Sequence, residues 1–348
     1  MPAFKKIIPN AFSFILLLAV TLMIFMLIIS CSEDNSIISP KTENYFYADL
    51  VDYGGFVQSS IPAFGLNENI ITAQQKRAHI CWYNLIPSQY LVNDIIADDV
   101  KVSPQESLVT VLDVVFNPTQ KGIYNNGEIS QDLRNNWGGF FRSLPDSIVN
   151  KFKNKNLVLK IWLRIENSSS EAMLNFDVGK ISEEIIPNGR LDTEDKNANN
   201  LLDDGEDTGI DGIFNLMEPA YQSETDPNRD DFSFQHNKFE YVNGLENNKS
   251  LLEIKRIYDT EDINGNYALD SANDYFSYKI PLDVNKLVSS RIIEHGKNGW
   301  MQLKIPVDLP DVRVGAPDKN MMESMRLWIT NAENLVHIQI AEIKFEEL

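Results

Sequence analysis

Cysteine, histidine, helical periodicity and positive charge are all scarce in this chain. Two cysteines, Cys31 and Cys81, occur in 348 residues, which is too few for a disulfide framework. Cys81 lies in the strand-like run His79-Ile80-Cys81-Trp82-Tyr83 and reads as a buried structural thiol. The four histidines, His79, His236, His295 and His337, are scattered. They form no HExxH pair, and there is no GxSxG elbow. Gly138-Gly139 follows Trp137 without the helix start that a phosphate cradle needs. No catalytic motif is present, and the chain is expected not to be an enzyme. Lys and Arg number 31 against 50 Asp and Glu, a formal charge of −19. That balance disfavours nucleic acid, whose affinity comes from basic patches, and also tight docking on anionic headgroups.

Residues 1–30 read as an export signal peptide. Lys5 and Lys6 precede an apolar run, Phe14 to Ile29, broken only by Thr21. The run ends in Ile28-Ile29-Ser30-Cys31, which resembles a lipoprotein cleavage site and would leave Cys31 as the lipidated N-terminus. A run of sixteen residues falls short of the ~20 that span a bilayer, whereas acyl chains anchor at ~0.8 kcal/mol per CH₂. Ser32-Glu33-Asp34 resembles the signal that sends lipoproteins to the outer face of the outer membrane; a solvated tether over residues 31–44 is the alternative. Loss of residues 1–30 removes two lysines and no acid, moving the charge from −19 to −21.

From residue 45 onward the pattern is β. Short runs rich in Val, Ile, Leu and aromatics, bounded by Gly, Pro, Asn or Asp, predict strands at 45–51, 78–85, 108–116, 137–144, 157–165 and 173–178. Four more follow at 275–280, 300–307, 325–329 and 336–345. Alternation is clear in Leu159-Lys160-Ile161-Trp162-Leu163-Arg164-Ile165 and in His337 through Phe345, placing one face on a core. Short helices are expected at 146–153 and 282–287. Ten strands without βαβ alternation predict an all-β fold, an antiparallel β-sandwich of jelly-roll type, spanning residues 45–348 as one domain. Residues 187–274 differ, being dominated by Asp, Asn, Gly and Glu. They read as an insertion that needs something to order it.

That something is suggested by a pattern that occurs twice. Residues 195–207 read DKNANNLLDDGED and 262–274 read DINGNYALDSAND. Oxygen side chains at alternate positions of a tight loop suit a hard cation such as Ca²⁺. The first loop offers Asp195, Asn197, Asn199, the Leu201 carbonyl, Asp203 and Glu206, the ligand positions of an EF-hand. The second offers Asp262, Asn264, Asn266, the Ala268 carbonyl and Asp270, but Asn273 replaces the closing glutamate. Asp207 and Asp274, at position thirteen, are candidates for an additional carboxylate. An acidic surface loop held by Asx-turns is the metal-free alternative.

Several segments together resemble the soluble modules of the SprA family, outer-membrane translocons of type 9 secretion and gliding motility. They are KRAHICWYN (76–84), LDVVFNPTQKGIYN (112–125), NNWGGFFRSL (135–144) and FDVGKISEEIIPNGRLDTED (176–195). VNGLENN (242–248), TEDINGNYALDSANDYFSYKI (260–280) and the closing MRLWITN with VHIQIAEIKFEEL continue the series in the family's order. The transport function of that family belongs to a very large β-barrel, for which this chain is far too short. The resemblance therefore implies a soluble module on a lipid anchor at the outer membrane. Such a module would act through protein partners in the cell envelope, on the cell surface or the periplasmic face. The last three strands also look like those of galactose-binding jelly rolls, so a carbohydrate-binding surface module is the second expectation. Trp137 and Trp300, beside glycines at strand starts, are the candidates for stacking on sugar rings, against sandwich-edge packing as the plainer reading.

Overall fold

The computed structural model describes residues 46, 50–52, 55–62, 70–85, 90–103, 107–125, 127–153, 156–219, 223–230, 258–290 and 292–348. The expected signal peptide, Cys31, the tether, most of the strand at 45–51 and the 242–248 segment lie outside the described residues. Residues Tyr45–Leu348 form one compact unit. Among the described residues no helix is long and apolar enough to cross a membrane.

Twelve strands are described: β1 Val57–Gln58, β2 Ala78–Leu85, β3 Val111–Lys121, β4 Gly138–Ser143, β5 Leu157–Asn167 and β6 Met173–Lys180, followed by β7 Asp274–Pro281, β8 Ile292–His295, β9 Met301–Pro306, β10 Val312–Val314, β11 Ser324–Thr330 and β12 Val336–Glu347. They build two six-stranded antiparallel sheets, in the orders β1-β4-β11-β6-β7-β10 and β2-β3-β12-β5-β9-β8. The fold is the all-β antiparallel sandwich that the strand pattern predicts. Helices occur at Asp146–Phe152 and Val284–Ser290, and additional short ones at Ile70–Gln75 and Val92–Ile95.

The period of two explains which residues meet between the sheets. Leu112, Val114 and Phe116 of β3, and Leu159, Ile161 and Leu163 of β5, share one core with Phe176, Phe276, Leu327 and Ile329 of the facing sheet. The contact is aromatic at two points: Trp82 stacks on Phe140 with ring centres 4.8 Å apart, and Phe176 meets Phe345 edge-on. A hydrogen bond crosses the core where the Tyr278 hydroxyl donates to the Val307 carbonyl, 2.7 Å. In β12 the alternation is interrupted: a register shift between Ile340 and Glu342 resets the phase, so Ile338, Ile340, Ile343 and Phe345 all reach the core.

Gly138-Gly139 has a packing role. Trp328 of β11 lies opposite Gly139 in the ladder, and a Cβ there would fall 2.6 Å from the Trp328 Cβ. The glycine makes room for an indole on the neighbouring strand.

The acidic insertion connects β6 to β7, which are hydrogen-bonded neighbours of one sheet. It is thus an enlarged hairpin connection, and its described residues contain no strand, only a Thr193–Thr260 antiparallel bridge and a 3-10 turn at Asn215–Met217. Outward-facing residues of the first sheet meet it. Val57, Phe141 and Tyr275 form a second small core with Ile123, Tyr124, Ile181, Ile185 and Ile210. Arg77 ties the insertion down, donating from Nη2 to the Ile185 carbonyl at 2.8 Å and to the Ser59 carbonyl at 3.2 Å.

Candidate functional site: the paired acidic loops

The two loops share a backbone path set by the same side-chain contacts. In the first, Asp195 accepts from the N–H groups of Asn199 (3.0 Å) and Asn200 (2.8 Å). In the second, Asp262 accepts from Asn266 (3.0 Å) and Tyr267 (2.8 Å). Leu201 N–H donates to Asn199 Oδ1 and Ala268 N–H to Asn266 Oδ1, both at 2.8 Å. The amides of Asn197 and Asn199 converge on Asp203 Oδ2 at 2.8 and 2.7 Å; those of Asn264 and Asn266 converge on Asp270 Oδ2 at 2.7 and 2.9 Å. Positions four and six both take the left-handed conformation: Ala198 and Asn200 in one loop, Gly265 and Tyr267 in the other. Tyr267 in that region is strained, so the path is held by the aspartate at position one.

The carboxylate that closes each loop comes from a different place. Glu206 closes the first, accepting from Asp203 N–H at 3.0 Å and Lys196 N–H at 3.2 Å. Its neighbour Asp207 is exposed. In the second loop Asn273 turns away, its Oδ1 accepting from Ser182 N–H. Asp274 does not supply the missing carboxylate: it begins β7, and its Oδ1 accepts from Ala316 N–H at 2.7 Å. Glu183, just beyond β6, stands in Glu206's place, accepting from Asp270 N–H at 3.3 Å while its own N–H donates to the Asp270 carbonyl at 2.8 Å. A cavity of about 70 Å³ lies beside Glu183, Asn264 and Asp270. Burial pushes the Glu183 carboxyl up to about 8, and the nearby Asp270 and Asp262 charges add to the rise. Sequence spacing could not find this residue, which is 87 positions from its partner.

The repeat also extends further than the thirteen-residue pattern. Asp192-Thr193-Glu194 and Asp259-Thr260-Glu261 precede the loops identically. These triplets pair antiparallel, and each glutamate is buried in the exchange. Glu194 accepts from Asp259 N–H at 2.7 Å and Thr208 N–H at 3.2 Å. Glu261 accepts from Asp192 N–H at 2.9 Å and Ile186 N–H at 2.8 Å. Burial is the main cause that lifts Glu194 to about 8 and Glu261 to about 7.

Trp137 and Trp300 are both buried, 0 % and 1 % exposed, which corrects the expectation that they could stack on a ligand. Trp137 Nε1 donates to the Ala73 carbonyl at 3.1 Å, and Arg77 lies over its ring. Trp300 packs edge-on against Tyr90 in a cluster with Trp162, Val92 and Ile95 that covers part of the second sheet's outer face. Of the histidines, His337 is held by Asp113, with Nε2 2.8 Å from Oδ1, and Gln339 donates to the same oxygen. Among the described residues of the insertion, the apolar side chains open to solvent include a run at Ile213, Phe214, Leu216 and Met217, the last two 71 % and 76 % exposed.

No family model and no curated protein matches this chain. Among solved structures it is similar to a protein described as a non-crystalline cellulose specific carbohydrate-binding module (CBM28). The identity is 8 % and the TM-score 0.26, with 74 % of this chain and 87 % of that one covered. Likeness at that level leaves the fold assignment resting on the strand order itself.

Proposed function

We propose that this chain is a non-enzymatic, lipid-anchored protein of the outer membrane that binds a protein partner through its cation-organised insertion. In this reading it serves as an accessory of type 9 secretion or gliding machinery, or of a related surface assembly. The observation that carries the reading is the ledge Ile213–Phe214–Leu216–Met217. Two largely exposed apolar side chains, Leu216 and Met217, beside a phenyl ring are costly in water, and contiguous exposed apolar groups mark contact surfaces. The ledge is carried on a segment with little core of its own, so something else must hold its shape.

Ca²⁺ in the two loops is the agent proposed for that. In the first loop Asp195, Asn197, Asn199, the Leu201 carbonyl, Asp203 and Glu206 would hold the ion. In the second, Asp262, Asn264, Asn266, the Ala268 carbonyl, Asp270 and Glu183 would do so. Support comes from the clustering of each loop's two amide side chains about its position-nine aspartate, from position-one aspartates already oriented, and from a closing carboxylate in both. The burial of Trp137 and Trp300 removes the pair that the carbohydrate reading offered for stacking on sugar rings.

Crosslinking in intact outer membranes tests the function. The wild-type chain should recover components of a secretion or gliding translocon, and Leu216→Asp with Met217→Asp should lose them while the chain stays folded and anchored. Recovery of no envelope protein by the wild type, or equal recovery by the variant, would reject the ledge as the contact.

A further inference from the structure

A third cluster of oxygen ligands lies in the insertion, outside both loops. One carboxylate oxygen from each of Glu218, Asp226 and Asp230 lies within 4.8 Å of the others, and Glu218 and Asp230 are buried. Between the aspartates in sequence sits Asn228, which is fully buried. Its backbone N–H donates to Glu218 Oε2 at 2.9 Å, which places its backbone against the cluster. Its Nδ2 donates to Asp211 Oδ2 at 2.6 Å, and because a carboxylate only accepts, this bond fixes which end of the amide is oxygen. The remaining atom, Asn228 Oδ1, is buried with no hydrogen-bond donor among the described residues. Carboxylates cannot satisfy it, since they carry no proton to offer when ionised. A buried acceptor left in that state costs about 1–3 kcal/mol, and a cation is the partner that serves an amide oxygen and three carboxylates together.

We propose that Glu218, Asp226, Asn228 and Asp230 form a third site for a hard divalent cation of the calcium class. Four oxygens from one loop, three of them charged, suit an ion that accepts six to eight oxygen ligands at irregular angles better than one demanding a strict octahedron. The alternate spacing of Asp226, Asn228 and Asp230 is that of the two loops, and Asp226 accepts from Asp230 N–H at 3.2 Å as their first aspartates do. Gly209 leaves room for the approach of Asp230, because a Cβ at that position would collide with its carboxylate. The site is also joined to the sandwich. Tyr124 N–H donates to the Asn228 carbonyl at 2.9 Å, and the Tyr124 hydroxyl accepts from Ile210 N–H at 3.0 Å. An ion here would link the end of β3 to the part of the insertion that carries the ledge.

The test counts ions on the full chain in detergent, stripped with chelator and titrated with Ca²⁺ by equilibrium dialysis. Tyrosine-sensitised Tb³⁺ luminescence, displaced by Ca²⁺, serves as the second readout. A loop variant (Asp195→Asn, Asp203→Asn, Asp262→Asn, Asp270→Asn) should keep one displaceable ion per chain. Glu218→Gln with Asp230→Asn should bind one ion fewer than wild type, and the milder Asp226→Asn should weaken that ion at least tenfold. A loop variant that holds no ion overturns the third site, and so does a Glu218→Gln, Asp230→Asn variant that holds as many as wild type. Should the latter variant not fold, the loop variant decides alone. A wild type that binds a single ion, lost in the Glu218 and Asp230 variant, upholds this site and rejects the reading of the loops.

Discussion

Glu194 and Glu261 each accept a hydrogen bond from the backbone of the segment that carries the other. Glu194 takes the N–H of Asp259, and Glu261 takes that of Asp192. The two bonds flank the Thr193–Thr260 bridge, so two loops far apart in sequence are fastened by one reciprocal contact. Each glutamate also holds a donor from the surrounding insertion, Thr208 for one and Ile186 for the other.

Truncation of either glutamate therefore strands two backbone donors. An unmet buried N–H costs about 1–3 kcal/mol, so Glu194→Ala or Glu261→Ala should lower stability by about 2 kcal/mol or more. Glutamine keeps one acceptor oxygen and should cost less. The double alanine variant should fall short of the sum, because the first change already frees the segment that the second glutamate holds. Thermal unfolding with limited proteolysis of the 187–274 segment checks both points; strict additivity would show that the two contacts are independent.

Beneath the insertion, Arg326 and Asp177 form an ion pair whose side chains are both fully buried. Asp177 Oδ2 accepts from Arg326 Nε at 2.8 Å, from Nη2 at 2.6 Å and from Trp328 Nε1 at 2.9 Å. Arg326 also lies over the Tyr275 ring, 4.8 Å from its centre. Removal of one member leaves the other charged in an apolar setting, and Asp177→Ala or Arg326→Ala should cost about 3–5 kcal/mol. Joint replacement, Asp177→Leu with Arg326→Met, should cost less than either single change. Denaturant titration gives the values, and a double variant as unstable as the singles would mean that the pair, and not the isolated charge, is what the fold needs.

The sandwich was legible because its strands obey a simple period. Leu159, Ile161 and Leu163 alternate with Lys160, Trp162 and Arg164, and the structure sends the first set inward. The first loop's backbone path was legible for a similar reason: the contacts of Asp195, Asn199 and Glu206 that set it are local. Glu183 was not, because it reaches the second loop through the β6–β7 pairing, which sequence spacing does not record. The third cluster is hidden from sequence spacing because its glutamate precedes the Asp226-x-Asn228-x-Asp230 pattern instead of closing it. Trp137 and Trp300 were misplaced by their glycine neighbours. Glycine at a strand start suggests an open edge, whereas here the helix at Ile70–Gln75 and the segment around Val92 cover those positions.

Glu183 gives the second loop a test separate from the first. If it closes a cation loop as Glu206 does, Glu183→Gln should weaken one Ca²⁺ by roughly tenfold or more and leave the first loop's ion unchanged. Asp274→Asn, whose carboxylate faces Ala316, should leave both ions as they are. Calorimetric titration after chelation separates the two variants. Loss of an ion in the Asp274 variant with none in the Glu183 variant would restore position thirteen as the closing ligand.

His79 supplies a pH dependence of definite sign. Burial holds its imidazole down at about 4, helped by the charge of Arg229, whereas an unfolded histidine titrates near 6.5. The unfolded chain therefore binds a proton that the folded chain refuses. The resulting loss of stability begins as pH falls below about 6.5, proceeds at up to about 1.4 kcal/mol per pH unit, and is complete near pH 4. The buried carboxyls of Glu183, Glu194 and Glu261 are pushed up and act in the opposite sense. Each favours the folded state when protonated, and that contribution is lost as pH rises from about 4.5 through 7 to 8. The two trends overlap, so the slope of the wild type alone does not isolate the histidine. The difference between wild type and His79→Gln does. Denaturant unfolding at matched pH values from 4 to 8 should show the two proteins running parallel above pH 7 and diverging below 6.5, with the wild type losing more. Parallel curves across the whole range would mean that His79 takes up its proton without unfolding the strand that buries it.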